Sequence, residues 1–191
     1  MTYLVEGVVF TNLKRHACRN QSASRPRPCR CSDPSLILIR MNQPADEHMS
    51  DAALIQVAKQ VMEDAKFPFL ATMDGECPKV RPVSPVRVDG FVVYIANLRM
   101  YQKTRQIEAN PHVELCYMST HHDQVRISGL AERVTDRATL QSIWDSHPLL
   151  RKYLGTLDNP EFILYRVVPS KVLYMKEWSL AYHDVPLAAG V

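Results

Sequence analysis

The sequence predicts a mainly β fold with α additions, a six-stranded antiparallel barrel, and three observations predict it. Strand-like runs are joined by short turn signals, and helical periodicity occurs mainly where the chain crosses between them. The chain holds six glycines and no Gly-rich phosphate loop follows a strand, so a doubly wound parallel sheet is not supported. Its 191 residues are 46% hydrophobic and 23% charged, which suits one folded domain with about forty residues to spare.

The elements follow in order. Ser50 and Asp51 suit a helix start, and Leu54, Val57, Ala58, Val61 and Met62 recur at helical spacing to about Lys66, a covering amphipathic helix. Residues 67–73 form a strand ending at Asp74-Gly75, and residues 78–88 a second ending at Asp89-Gly90, both hairpin signals. Residues 91–96 are the third strand. Residues 99–109 are helical and stop at Asn110-Pro111, because proline disfavours a helical residue before it. Residues 113–118 and 124–134 pair across the polar turn STHHD, where His121, His122 and Asp123 read as a hairpin tip rather than a metal or acid/base cluster. Asp136 opens a helix through Trp144, a short helix covers 149–154, and 162–175 is a long strand interrupted near Pro169. Phe91, Tyr94, Leu115 and Tyr117 alternate as core, and Cys77 and Cys116 read as small core residues.

Residues 1–48 are a different kind of sequence. Arg, Ser, Pro and Cys dominate the stretch from 11 to 35, with too little apolar content to offset the entropy of ordering, so a disordered or non-native extension is expected. Its start lacks the basic end of a secretory signal and carries Glu6 within the apolar stretch. Met41 and Met49 both precede the ordered pattern and are candidate starts. His16, Cys18, Cys29 and Cys31 match no usual paired-ligand spacing, and no metal site is expected; the unpatterned cysteines point to a reducing cytoplasm. The formal charge is +3, yet residues 1–40 hold seven basic and two acidic residues, leaving −2 for residues 41–191. That balance does not indicate a phosphate-tracking nucleic-acid surface, and no apolar run reaches the 18 or so residues of a spanning helix.

Three motifs in consecutive elements carry a resemblance: RPVSPVRVDGFVVY from Arg81 to Tyr94, KTRQIEANPHV from Lys103 to Val113, and QVRISGLAERV from Gln124 to Val134. Together, within about residues 67–148, they resemble the FMN-binding split barrel of the pyridoxine/pyridoxamine 5′-phosphate oxidase family. The resemblance implies a six-stranded split barrel over residues 49–178, with residues 179–191 as a tail. It further implies a homodimer with FMN in the groove between two chains. Arg81 and Lys103 match the phosphate ligands, a role that suits a fork of donors on a strand and a point charge at a helix start. Thr104 and Arg105 are assisting candidates, while Tyr101 stands where relatives carry a serine. The backbone of Pro82, Val83 and Ser84 and of Ile95, Ala96 and Asn97 is placed along the flavin edge. Gln124 matches the glutamine supplied by the partner chain, and Trp178 is the candidate ring-flanking tryptophan, offset by three residues from the expected position at Met175.

The departures exclude the vitamin-processing oxidase itself. Its substrate-phosphate ligands fall on Val86, Ile143, His147 and Arg151, and three of these four cannot replace the expected contact. Each lost charge-assisted bond is worth about 1.5–3 kcal/mol. Arg87, His147, Arg151 and His183 remain as candidates for a different substrate site, and no acid/base residue is assigned. The expected function is an FMN-dependent oxidoreductase passing hydride between the flavin and a small substrate or a nicotinamide. The alternatives are a non-catalytic flavin-binding stress or storage protein, a deazaflavin user, or a haem-binding relative with His183 or the His121/His122 pair as axial ligands.

Overall fold

The computed structural model describes residues 49–179 and 181–187; the cysteine and histidine candidates before residue 41 and the expected extension over 1–48 lie outside the described residues. Ser50 caps α1 (Asp51–Ala65), its hydroxyl accepting from the Ala53 amide. The helix buries Leu54, Ala58, Val61 and Met62. It ends at Lys66, which takes a left-handed backbone.

Among the described residues eight strands form one antiparallel sheet, against six expected. β1 (Phe69–Asp74) and β2 (Cys77–Pro82) make the first hairpin; β3 (Pro85–Asp89) and β4 (Val92–Leu98) make the second. Then come α2 (Gln102–Ala109), β5 (His112–Met118), β6 (Gln124–Arg133), α3 (Arg137–Ser146), α4 (Pro148–Leu154), β7 (Phe162–Met175) and the two-residue β8 (His183–Asp184). The added strands have local causes. The expected single strand over 78–88 breaks at Val83-Ser84, where two prolines flank the link and the Val83 amide donates to the Pro68 carbonyl at 2.9 Å instead of continuing the ladder. β8 folds back on β7, pairing His183 with Tyr174.

The strand order β2-β1-β5-β6-β7-β4-β3 leaves β2 and β3 as the two edges. Those edges are consecutive in sequence. Laid flat, the seven strands would place them about 29 Å apart at the usual strand spacing, whereas the link from Pro82 to Pro85 spans at most about 11 Å. The sheet therefore curls until its edges nearly meet, as a split barrel.

One face encloses the core. Leu70, Val93, Ile95, Leu115, Tyr117, Val125, Ile127, Val167 and Val172 fill it, and α1 closes over it through Leu54, Ala58, Val61 and Met62. A second cluster of Ile143, Trp144, Phe162 and Leu164 seats α3 and α4 outside the sheet, with Val86, Tyr94 and Ala96 against it. Two expectations change. Cys77 is exposed, because it lies at the start of edge strand β2, and Cys116 is half-buried because it alternates away from Leu115 and Tyr117. Tyr94 belongs to the second cluster rather than to the barrel interior.

The interruption near Pro169 is a bulge. Ser128 faces Lys171 and Gly129 faces Pro169, so Ser170 is extra, and its hydroxyl donates to the Ser128 carbonyl at 3.0 Å. A Cβ on Gly129 would collide with the Val168 carbonyl, which is backbone and cannot rotate aside. Gly129→Ala should destabilise the fold by about 1–3 kcal/mol, the usual range for overpacking. A thermal melt checks this: an unchanged midpoint would show that the two backbones are not held this close.

Candidate functional site

Arg81 lies opposite Leu70 on β1, and Leu70 opposite Leu115 on β5, so its side chain turns to the core-facing side of the sheet. There it meets polar partners. Its Nη1 donates to Thr72 Oγ1 at 2.5 Å and to the Leu70 carbonyl at 3.4 Å, and its Nη2 donates to Gln106 Oε1 at 2.8 Å. Thr72 in turn donates to Gln106 Oε1 at 2.7 Å, and both Thr72 and Gln106 are buried. Of the five N–H donors of the guanidinium, three are engaged, which leaves the Nε proton and one on Nη2 for a ligand.

Lys103 approaches from the first turn of α2, half-buried, with its ammonium 5.7 Å above the Tyr101 ring. Burial holds its pKa below the ordinary 10.5, and the charge of Arg81 lowers it further. Burial also lowers that of Arg81. Two like charges thus share a partly dehydrated place. Among the described residues neither has a carboxylate within 4 Å. Tyr101 puts no side-chain cap on α2, so the first turn keeps amide donors free.

The β4 residues stand beside this pair. Ile95 and Asn97 are buried and Ala96 is half-buried. Asn97 Nδ2 donates to Thr104 Oγ1 at 2.6 Å, and Thr104 donates to the Leu98 carbonyl at 2.8 Å. The Thr104 hydroxyl therefore ties α2 to β4. Asn97 Oδ1 is buried without a partner among the described residues, as is the Tyr165 hydroxyl, and both residues line a small hollow with Lys103, Leu70 and Ile107. Across the split, Pro82 and Ser84 are exposed and Val83 is buried.

Gln124 and Trp178 lie elsewhere. Gln124 pairs with Met118, which is exposed, and the next residue, Val125, points to the core, so Gln124 faces outward. Arg81 and Gln124 lie on strands three positions apart in the sheet and on its opposite faces. On the outer face Gln124 accepts from the Tyr182 hydroxyl at 3.2 Å. Beside it Arg126 pairs with Glu114 at 2.6 Å and lies 5.5 Å over the Tyr182 ring. Trp178 is 64% exposed with a left-handed backbone, in the turn after β7. That turn is tied to the β5–β6 hairpin, where the Glu177 amide donates to Asp123 Oδ1 at 2.8 Å.

The remaining candidates do not assemble into one site. His122 contacts Glu177 through Nδ1 at 2.7 Å, and no cluster able to hold a metal occurs among the described residues. Arg151 is spent on the carbonyls of Trp144 and Asp145 at the end of α3. Arg87 pairs with Asp89 at 2.6 Å, and His183 packs 6.4 Å from the Tyr174 ring. Thr72 and Gln106 were missed from sequence. Their signal was available: Thr72 shares the inward parity of Leu70, where a polar side chain demands a partner, and Gln106 follows Lys103 by three on one helix face.

Comparison with known proteins bears on this arrangement. The sequence profile of the family described as Pyridoxamine 5'-phosphate oxidase matches residues 54–176. A pyridoxine/pyridoxamine 5'-phosphate oxidase of Myxococcus xanthus is 28% identical, over 86% of this chain and 88% of the relative. Among solved structures, a Clostridium acetobutylicum protein related to general stress protein 26 aligns with TM-score 0.59 at 15% identity, covering 72% of this chain and 97% of that one. A Mycobacterium smegmatis heme binding protein gives 0.58 at 16%, over 72% and 58%. A pyridoxamine 5'-phosphate oxidase-related, FMN binding protein of Nostoc punctiforme gives 0.53 at 16%, over 68% and 86%. At these identities the structural likenesses establish the fold.

The half-buried cations have a pH signature. Below its lowered folded pKa, Lys103 is protonated in both folded and unfolded chains and the cost of burying it is present in full; between that value and 10.5 the unfolded chain holds more protons, so this cost is relieved as pH rises. Lys103→Met should therefore raise the melting temperature of the ligand-free protein at neutral pH, and the gap to the parent should shrink as pH rises toward 10.5. Melting curves of both from about pH 8 upward check it; a gap of constant size would mean that Lys103 is not held in this strained place.

Proposed function

The chain belongs to the pyridoxamine 5'-phosphate oxidase family, and on that premise we propose that it is an FMN-binding oxidoreductase built as a homodimer. The observation that carries the reading is the Arg81–Lys103 pair: two half-buried cations with no acid beside them among the described residues, one locked by Thr72 and Gln106. A phosphate ester near two negative charges fits that place in charge and in donor geometry. Arg81 has two donors left, Lys103 supplies a mobile point charge, and the uncapped start of α2 adds backbone dipoles.

The facing of the two residues supports a second chain. Gln124 and Arg81 belong to opposite sides of one sheet, so a ligand that met both would take Gln124 from another copy. In this reading the exposed backbone at Pro82 and Ser84, with Val83, borders the flavin edge; Ile95, Ala96 and Asn97 shape the neighbouring wall, with the unpartnered Asn97 Oδ1 as an acceptor. Trp178, exposed near Gln124, completes the partner's share.

The bound flavin would supply the hydride chemistry, and the protein binding, orientation and exclusion of water. The substrate is a small organic reductant or a nicotinamide rather than a vitamin phosphate. Val86 and Ile143 are packed into the second apolar cluster and Arg151 caps a helix, so these positions offer no phosphate cradle. The reading places the protein in the cytoplasm; no helix among the described residues is long and apolar enough to cross a membrane.

The absorbance spectrum of the purified protein tests the cofactor. Flavin bands are expected, and a Soret band would move the choice to haem. Bleaching by NADH or NADPH tests turnover, and no bleaching by either or by small reductants would favour a storage role. Lys103→Ala should weaken FMN binding about 10- to 150-fold, the equivalent of a charge-assisted bond worth about 1.5–3 kcal/mol. Unchanged affinity on fluorescence titration would remove Lys103 from the site.

A further inference from the structure

A cleft of about 450 Å³ opens between α1 and β3. None of Arg81, Lys103, Gln124 or Trp178 lines it. Its size falls in the range of small-molecule pockets. One wall is α1, where Lys59, Met62 and Glu63 are spaced to share a helix face, together with Lys66 just past the helix end. The other wall is β3 from Pro85 to Val88, largely apolar apart from Arg87.

The charge is one-sided. Arg87 is neutralised by Asp89 at 2.6 Å, but neither Lys59 nor Lys66 has an acidic partner within 4 Å among the described residues. Two lysines against Glu63 leave a positive rim over an apolar body. At the inner end stands Tyr117, 1% exposed, whose hydroxyl has no hydrogen-bond partner among the described residues. A buried hydroxyl unpaired among the described residues calls for a partner from outside the chain, and here it lines the cleft. Burial pushes the phenol pKa up, so it stays protonated and available as a donor. Met62, unbranched, is the wall residue best able to repack around an occupant.

We propose that this cleft binds a small organic monoanion, a carboxylate or sulfonate on an apolar or aromatic body, with Lys59 and Lys66 on its acid group and Tyr117 donating to its inner polar edge. Lysines suit this ligand as point charges, whereas no planar fork is free here for a phosphate ester. The site stands independently of the flavin reading.

The test uses the full chain and 8-anilino-1-naphthalenesulfonate, an aromatic monoanion whose fluorescence reports binding. One saturable site per chain is expected, weakening as sodium chloride is raised. The surface charge reversal Lys59→Glu/Lys66→Glu should weaken it at least tenfold, and Tyr117→Phe, checked for folding by circular dichroism, severalfold. Lys103→Ala should leave it unchanged, which separates failure of this site from failure of the flavin site. No saturable binding, an affinity within twofold of the parent in the double charge reversal, or equal loss in Lys103→Ala would overturn the proposal.

Discussion

Arg81 and Lys103 repel each other, come from different elements and have each surrendered part of their hydration, and the fold nonetheless holds them together. Such an arrangement costs stability unless something of opposite charge is bound. The protein spends two buried polar side chains, Thr72 and Gln106, on fixing the guanidinium, and a second pair, Asn97 and Thr104, on fixing the helix that carries the lysine. A structure needing only a closed barrel would place apolar residues at those four positions. The site's electrostatics and the depressed lysine pKa descend from this constraint, and the proposal of a doubly charged ligand rests on it.

The topology explains why the site lies where it does. Consecutive strands β2 and β3 form opposite edges of the sheet, so the Val83-Ser84 link must bridge the split. Backbone at the split is not consumed by a ladder, and Arg81 stands two residues before it. A ligand seated there meets edge backbone on one side and the start of α2 on the other. The outward face of β5 and β6 carries a separate ordered group, Gln124 with Tyr182, Arg126 and Glu114. In the proposed homodimer that group would face the partner's ligand.

Much of the fold was legible because its signals are local. Ser50 and Asp136 cap the helices they were expected to cap, and Asp74-Gly75 and Asp89-Gly90 turn the expected hairpins. What was not legible is non-local. PVSPVRV has strand composition on both sides of Val83, and the chain's switch from one sheet edge to the other depends on which neighbours each half finds. Cys77 was assigned to the core because it alternates like a strand residue, but on edge strand β2 there is nothing to cover it. Of the site, the cations came from motifs; Thr72 and Gln106 did not, because a threonine in a strand and a glutamine in a helix are individually unremarkable until parity shows them buried together.

A mixing experiment tests whether two chains share each flavin site. Lys103→Ala and Gln124→Ala chains, each impaired in FMN binding, are unfolded together and refolded. If each site takes its lysine from one chain and its glutamine from the other, every mixed dimer contains one fully intact site, and the mixture regains tight flavin binding at up to one site per mixed dimer. If the mixture binds no better than the two variants apart, the lysine and the glutamine do not meet across two chains, and the account of the site is wrong.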